Sequence, residues 1–570
     1  MRKLIFLLVG IGIVSTGFAQ QFLSSTPKPV SNPKVPLFLA NKFKPNKELK
    51  DDFEEAMDDG NFFLLDEDYT SALAMFLNAY NIDPTSANIN YLVGYTIMKS
   101  LAIKDKSKAI PYLERAGNKV TKRYNEFESD ETSAPYNTFY YLGLAYNTTG
   151  QQDNALKALN KFKDISGNAS SYEVKDADRI IGWCTTAKEM EKLPINVNVT
   201  NLGDSVNSIF PDYSAMVSGD ENTLIFSSKR DGTLQDENPP PGTSSEYVYY
   251  SYKKKDGTWS KALPMGDSLT TPYNEASVAL SPDGQQIVLY KEINGGDLFV
   301  SHLNGKIWSK PVSVNEGSKR CDINTDAWET SASISSDGNT IYFISDRKGG
   351  LGGRDVWKSS KLPNGQWSMA TNLGAPINTP YDEEAPFLDA SGKTMYFSSN
   401  GPKSMGGFDI FSSDLLDNGK WSEPKNIGVP INTTGDDVFY VTSPDGKRAY
   451  FSSVRKEGYG DKDIYIATTA NTAEKPLALI KGRITNEAGE PASKNIVIEA
   501  NNMANGSLVG SYKPLMRDGS YIIIVPANNK YKLSFKSNGV EFYAEMIEVP
   551  ENASYHEVQR DLQLKPVIEK

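Results

Sequence analysis

Apolar residues change their spacing twice along the chain, dividing it into three stretches. Between residues 51 and 193 they recur at helical intervals: Ala72, Phe76 and Ala79 stand at i, i+4 and i+7, as do Ala109, Leu113 and Ala116, and Ala155, Leu159 and Phe162. Each trio follows an earlier helical run (Phe53 to Leu65, Asn88 to Ser100, Tyr136 to Asn147), and a closing helix is expected from Ser171 to Glu191. From 194 to 470 the helical period gives way to short β-branched and aromatic runs bounded by glycine turns. A third stretch, 476–566, is also β in character, with the apolar run Ile522-Ile523-Ile524-Val525 after an Asp518-Gly519 turn.

The middle stretch is a repeat. The turn glycines Gly284, Gly338, Gly392 and Gly446 fall 54 residues apart, and an earlier copy runs from Ser214 to Glu221. Each copy predicts four strands. Strand a is small and branched, as in Ser331-Ala332-Ser333-Ile334, and strand b is aromatic and branched, as in Thr340-Ile341-Tyr342-Phe343-Ile344. Strand c opens on an acid: Asp297, Asp355, Asp409 or Asp463. Strand d follows an Asp-Gly or Asn-Gly hairpin and opens with Trp-Ser at Trp259, Trp308, Trp367 and Trp421. Four-stranded units repeated in this way predict a five-bladed β-propeller, with small inner strands and tryptophan outside. The last copy has no strand d. The segment Ile195 to Gly203 resembles the end of strand d elsewhere (Thr371-Asn372-Leu373-Gly374), so it is expected to complete the final blade and close the ring. The fold class is therefore multidomain, α then β: a helical solenoid, a five-bladed propeller and a small β-sandwich.

Charge and composition narrow the function. The net charge is -11, or -13 once the two cations Arg2 and Lys3 leave with a leader. An acidic chain without a basic stripe argues against nucleic acid as a partner. Residues 1–19 read as a signal peptide, with Arg2 and Lys3 before an apolar run and Gly17-Phe18-Ala19 at the cleavage site. A periplasmic location is the expectation, without a membrane span. Residues 20–50 carry Pro27, Pro29, Pro33, Pro36 and Pro45 and read as a linker. Cys184 and Cys321 lie in different predicted domains, so neither a disulfide framework nor a cysteine metal site is expected.

Candidate chemistry is sparse. Gly266-Asp267-Ser268-Leu269 matches a lipase nucleophile signature, but Gly266 keeps the repeat register of Gly203, Gly374 and Gly428. The two histidines, His302 and His556, lack the Asp-x-x-His context that chemistry needs. The strand c acids suggest calcium, but recurrence at one position fits hydrogen bonding within each blade better. No catalytic residue, metal or cofactor is expected. Loops on one face pair basic residues (Arg347, Lys348, Arg354, Arg455, Lys456, with Lys229, Arg230 and Lys403) with acidic ones (Asp212, Glu275, Glu329, Glu383, Glu384, Asp436, Asp437). Arg347, Lys348, Arg354, Arg455 and Lys456 are the candidates for partner binding, with the insertion Asp231 to Tyr247 as a lip; the bland alternative is that the two sets neutralise each other.

Gly60 twelve residues before Ala72, Gly143 before Ala155 and the closing Pro84 resemble the tetratricopeptide repeat. The third stretch resembles the carboxypeptidase regulatory-like domain. Together with the WD40-like Ser-Pro-Asp-Gly and Gly-Gly-x-Asp-Ile-Phe signatures, the order of modules resembles PorE-like periplasmic accessory proteins of type IX secretion and the OmpA family, without the OmpA-like domain. That resemblance implies a non-enzymatic periplasmic scaffold. Its implied partners are envelope or secretion-system proteins and peptidoglycan-associated assemblies. A glycan-binding or hydrolytic propeller is the alternative.

Overall fold

The computed structural model describes residues 47–564 other than 101–102, 168–170, 231–245, 267, 270–273, 306, 317–321, 470–475, 492–494 and 551–554. The stretch expected to be a signal peptide, most of the expected linker, the body of the insertion expected as a lip and Cys321 fall outside these. Two compact units divide near Cys184.

The first unit is helical: Lys47–Leu65, Tyr69–Ile82, Ala87–Lys99, Ile110–Ala116, Thr138–Thr148, Gln152–Ser166 and most of Tyr172–Met190. The helical trios read from the sequence are all buried. Glycine on the first helix of each successive pair lets the second approach closely. A Cβ would stand 2.5 Å from the Phe76 ring at Gly60, 2.6 Å from Leu113 at Gly94 and 2.6 Å from Leu159 at Gly143. The side chain of Asp68 caps Tyr69–Ile82 by accepting from Ser71 N at 3.0 Å.

The second unit is almost wholly β and begins with five antiparallel sheets. Their first strands, Asp212–Val217, Glu275–Leu280, Ala332–Ile334, Glu383–Leu388 and Asp437–Thr442, pack each against the next, and the last against the first. Val197–Asn201 pairs antiparallel with Asp463–Thr469, so the strand preceding the first sheet completes the last one. Asn201 Nδ2 donates to Asp463 Oδ2 at 2.8 Å across that junction. Every seam between neighbouring sheets holds its own apolar cluster, for example Phe226, Tyr249, Tyr450 and Ile464 where the last meets the first. No sheet buries its faces alone, which is why the pattern repeats around a closed β-propeller-like ring.

Strand d differs from expectation. Trp259, Trp367 and Trp421 each make one isolated bridge, and the paired strand d is only two residues long, as in Thr371–Asn372. The serine after each tryptophan causes the break. Ser368 Oγ accepts from Ser360 N at 3.1 Å while Ser359 Oγ donates to Ser368 O at 2.7 Å, and Ser422 repeats both contacts. A side chain thus takes a ladder donor that the backbone would otherwise use.

The C-terminal part is two four-stranded sheets, one around Leu477–Asn486 and Ser520–Pro526, the other around Ile496–Asn502 and Asn529–Ser537. Ile480, Ile498, Ile523, Leu533 and Phe535 fill the space between them. The outer face of the first sheet (Leu477, Leu479, Ile522, Ile524) packs on the ring at Ala390.

Candidate functional site at the mouth of the ring

The five inner strands enclose an axial cavity of about 90 Å³, lined by residues such as Ser214, Val278, Ala332, Ala385 and Phe439. Ile524 of the sandwich lines the end at the a–b turns. The site is built around the other end, where loops d–a and b–c meet.

One hydrogen bond recurs five times there. The residue just before strand c accepts from the leading acid of strand a in the next sheet: Glu275 N to Glu246 O at 3.0 Å, Glu329 N to Gly296 O at 2.9 Å, Glu383 N to Arg354 O at 2.8 Å, Asp437 N to Phe408 O at 2.6 Å and Asp212 N to Lys462 O at 2.7 Å. The backbone is therefore the same in all five places while the side chains (Glu, Gly, Arg, Phe, Lys) are not. Beside them stand Trp328, Asp382 and Asp436, one from each of three successive loops. Asp382 Oδ1 accepts from Arg354 N at 3.0 Å and Asp436 Oδ1 from Phe408 N at 3.1 Å.

The Arg354 guanidinium lies 5.3 Å from the Trp328 ring centroid and 5.5 Å from that of Phe408, pairs with Glu384, and has Nε 3.6 Å from Asp382. Glu384 also accepts from Thr330 Oγ1 at 2.9 Å and Ser331 Oγ at 3.2 Å. Burial raises its pKa, and Arg354 opposes that shift. Lys462 pairs with Asp436 at 3.3 Å. Trp328 remains 42% exposed, its Nε1 donating to Tyr290 Oη at 3.1 Å. An aromatic surface thus faces solvent, fixed by a hydrogen bond on one side and a guanidinium on the other. In the first sheet Glu246 is buried and hydrogen-bonded to Tyr213, and burial raises its pKa above the ordinary carboxylate value.

Below the mouth lies a layer of buried acids. Asp212, Glu275, Glu329 and Asp437 face Arg230, Lys291, Arg347 and Arg455 respectively, all within ion-pair distance. The fifth, Glu383, has Gly401 where the arginine stands in its neighbours (Ser345-Asp346-Arg347 against Ser399-Asn400-Gly401). Its carboxylate accepts from Thr379 N at 3.1 Å, Thr379 Oγ1 at 2.7 Å and Ser399 Oγ at 3.0 Å. Burial without a cation pushes its pKa up to about 8. Asp437, also raised by burial but with Arg455 nearby, reaches about 6.

These pairs correct the residues proposed for partner binding. Arg347 and Arg455 have side chains only 10% exposed. Arg347 donates to Glu329 Oε1 at 2.9 Å and Arg455 to the carbonyls of Pro430 and Ile431 at 2.9 and 2.7 Å. Arg354 is engaged as described, and only Lys348 and Lys456 are exposed. Loop position suggested a solvent-facing charged ring, whereas the acids are buried at or just before the start of the inner strands and draw the arginines inward. The strand c acids hold their own loops: Asp355 accepts from Gly352 N at 3.2 Å and Asn372 Nδ2 at 2.8 Å, and Asp463 from Gly460 N at 2.7 Å.

The geometry is that of a β-propeller-like ring with a chemically varied mouth. No protein-family model matches the chain, and no curated protein matches it. Among solved structures it is similar to an α-L-arabinofuranosidase from Podospora anserina (11% identity, TM-score 0.32, 49% of this chain and 98% of that one). It is also similar to an endo-arabinase from Bacteroides thetaiotaomicron (13%, 0.30, 47% and 96%) and a gluconolactonase from Xanthomonas campestris (11%, 0.27, 48% and 89%). Those activities belong to those proteins. The expectation of a non-enzymatic scaffold is corrected at its docking surface: the arginines that were to dock a partner are consumed inside the ring. Among the described residues no helix is long and apolar enough to cross a membrane.

Proposed function

We propose that the second unit is a five-bladed propeller that binds glycans at the mouth opposite the sandwich, and that the helical unit is a tetratricopeptide-like solenoid. The carrying observation is Trp328, an exposed indole held flat by Tyr290 and Arg354 among Asp382, Asp436 and Glu384. A pyranose presents an apolar C–H face and a rim of hydroxyls. The indole receives the first, and carboxylates and guanidinium exchange hydrogen bonds with the second. One further observation favours cleavage as well as binding: Glu246 stands at the same mouth, hydrogen-bonded to Tyr213 with its pKa raised by burial, the environment in which a carboxyl serves as a general acid toward a glycosidic oxygen. The three glycine-mediated helix contacts support the solenoid, and the order of modules supports an exported envelope protein.

The test is a glycan array followed by calorimetry on the full chain. Trp328→Ala is expected to weaken the captured glycan by about tenfold to a hundredfold. Release of reducing sugar abolished by Glu246→Gln would add the hydrolytic step. Absence of any glycan ligand, or capture unchanged in Trp328→Ala, would overturn the reading.

A further inference from the structure

A second cavity, of about 310 Å³, lies away from the mouth where the a–b turns of the second and third sheets meet the sandwich. His302 and Lys361 on the ring and Lys513 on the sandwich line it together with Ile334, Ile496 and Met516. We propose that this groove binds a small organic anion, a carboxylate or phosphate ester, between the ring and the sandwich.

Three observations carry this. First, none of the ion pairs formed among the described residues takes up His302, Lys361 or Lys513: Asp283 and Asp337 attract them without closing a pair, and Lys361 lies over the Trp367 ring at 5.1 Å. Second, the acids of the same wall are already hydrogen-bonded, Asp337 within its turn and Asp283 both within its turn and to the backbone of Lys513. Asp283 Oδ1 accepts from Gln285 N at 3.1 Å and from Ser281 Oγ; Asp337 Oδ1 accepts from Asn339 N at 3.0 Å and its Oδ2 from Asn339 Nδ2 at 3.2 Å. Third, the basic groups sense one another. Burial, then Lys513 and Lys361, lower the pKa of His302 against the opposing pull of Asp283, and burial lowers that of Lys361 against Asp337.

An oxyanion entering here would meet charged donors from both bodies without displacing an existing ion pair, and the apolar wall would cover its carbon skeleton. The volume is at the lower end for a small-molecule site, which suits a single sugar acid or sugar phosphate. Gln285 Nε2 donates to Lys513 O across the same seam, so the wall bearing Lys513 is already anchored. A ligand touching both bodies would also resist their separation.

The experiment follows thermal unfolding and calorimetric binding of the full chain with sodium phosphate, glucuronate and glucose 1-phosphate, against sodium chloride at matched ionic strength. A saturable rise in Tm with phosphate or the sugar acids, absent with chloride, is the expected result. Lys361→Gln combined with Lys513→Gln is expected to weaken binding by at least about tenfold. The two sugar derivatives distinguish a carboxylate from a phosphate ligand. Both substitutions keep the length and polarity of a side chain at the rim of the cavity, and unfolding of the double variant in chloride checks that it folds. A response no larger than that to chloride, or one unchanged in the double variant, would overturn the proposal.

Discussion

Glu383 supplies an internal experiment, because the other sheets show what it lacks. Glu329 makes the same contacts to Thr325 N, Thr325 Oγ1 and Ser345 Oγ and has Arg347 in addition. Glu383 has the three neutral donors alone, and burial pushes its pKa to about 8 from an ordinary 4.5. Its folded-state value is raised, so the folded chain holds a proton that the unfolded chain releases. Stability therefore falls as pH rises from about 4.5 to about 8 and is level beyond. The interval corresponds to roughly 5 kcal/mol, at about 1.4 kcal/mol per pH unit. Glu383→Gln carries no charge at any pH. Its amide oxygen can accept from Thr379 N while its NH₂ donates to the Thr379 and Ser399 hydroxyls. Urea unfolding of the ring, followed by tryptophan fluorescence, should give parent and variant nearly equal stability near pH 5. Near pH 8.5 the variant should be the more stable by roughly 3–5 kcal/mol. A difference independent of pH, or a variant less stable at pH 8.5, would refute the assignment of a protonated carboxyl.

The equivalent change one sheet earlier should have the opposite sign: Glu329→Gln strands the Arg347 charge and should cost roughly 3–5 kcal/mol near neutral pH, read in the same unfolding assay. Gly143→Ala, whose Cβ would stand 2.6 Å from Leu159, should lower the stability of the helical unit by about 1–3 kcal/mol despite better helix propensity, visible as an earlier loss of helical circular dichroism. Asn201→Ala removes the donor to Asp463 and the acceptor for Gly203 N and Asn207 Nδ2; a loss of roughly 1–3 kcal/mol and faster amide exchange along Asp463–Thr469 are expected.

Much of the ring was legible because its signals are local and repeated. Gly338 and Gly365 mark their hairpins by residue type, and both take positive φ, 68° and 81°. The segment from Ile195 could be matched to a missing strand because Asn201-Leu202-Gly203 repeats Asn372-Leu373-Gly374. The mouth was not legible, since Glu246, Gly296, Arg354, Phe408 and Lys462 share a backbone position without sharing chemistry. Four of them stand one residue before the aligned strand c acids, but only the five inter-sheet hydrogen bonds place all five together at the mouth. The loop positions of Arg347 and Arg455 point to solvent, and burial escapes such a reading, although the sequence holds a weak warning: Arg230, Arg347 and Arg455 each follow an inner-strand acid by 18 residues. Gly401 breaks that interval in plain view, but its meaning depends on Glu383 being buried.

The pairing of Val197–Asn201 with Asp463–Thr469 also dictates an order of assembly. A chain emerging from its amino end makes one half of this clasp first and must wait through more than two hundred and fifty residues for the other. Until then both boundary sheets remain uncapped, so a product truncated before Asp463 loses the fastening of the whole circle along with its last strand.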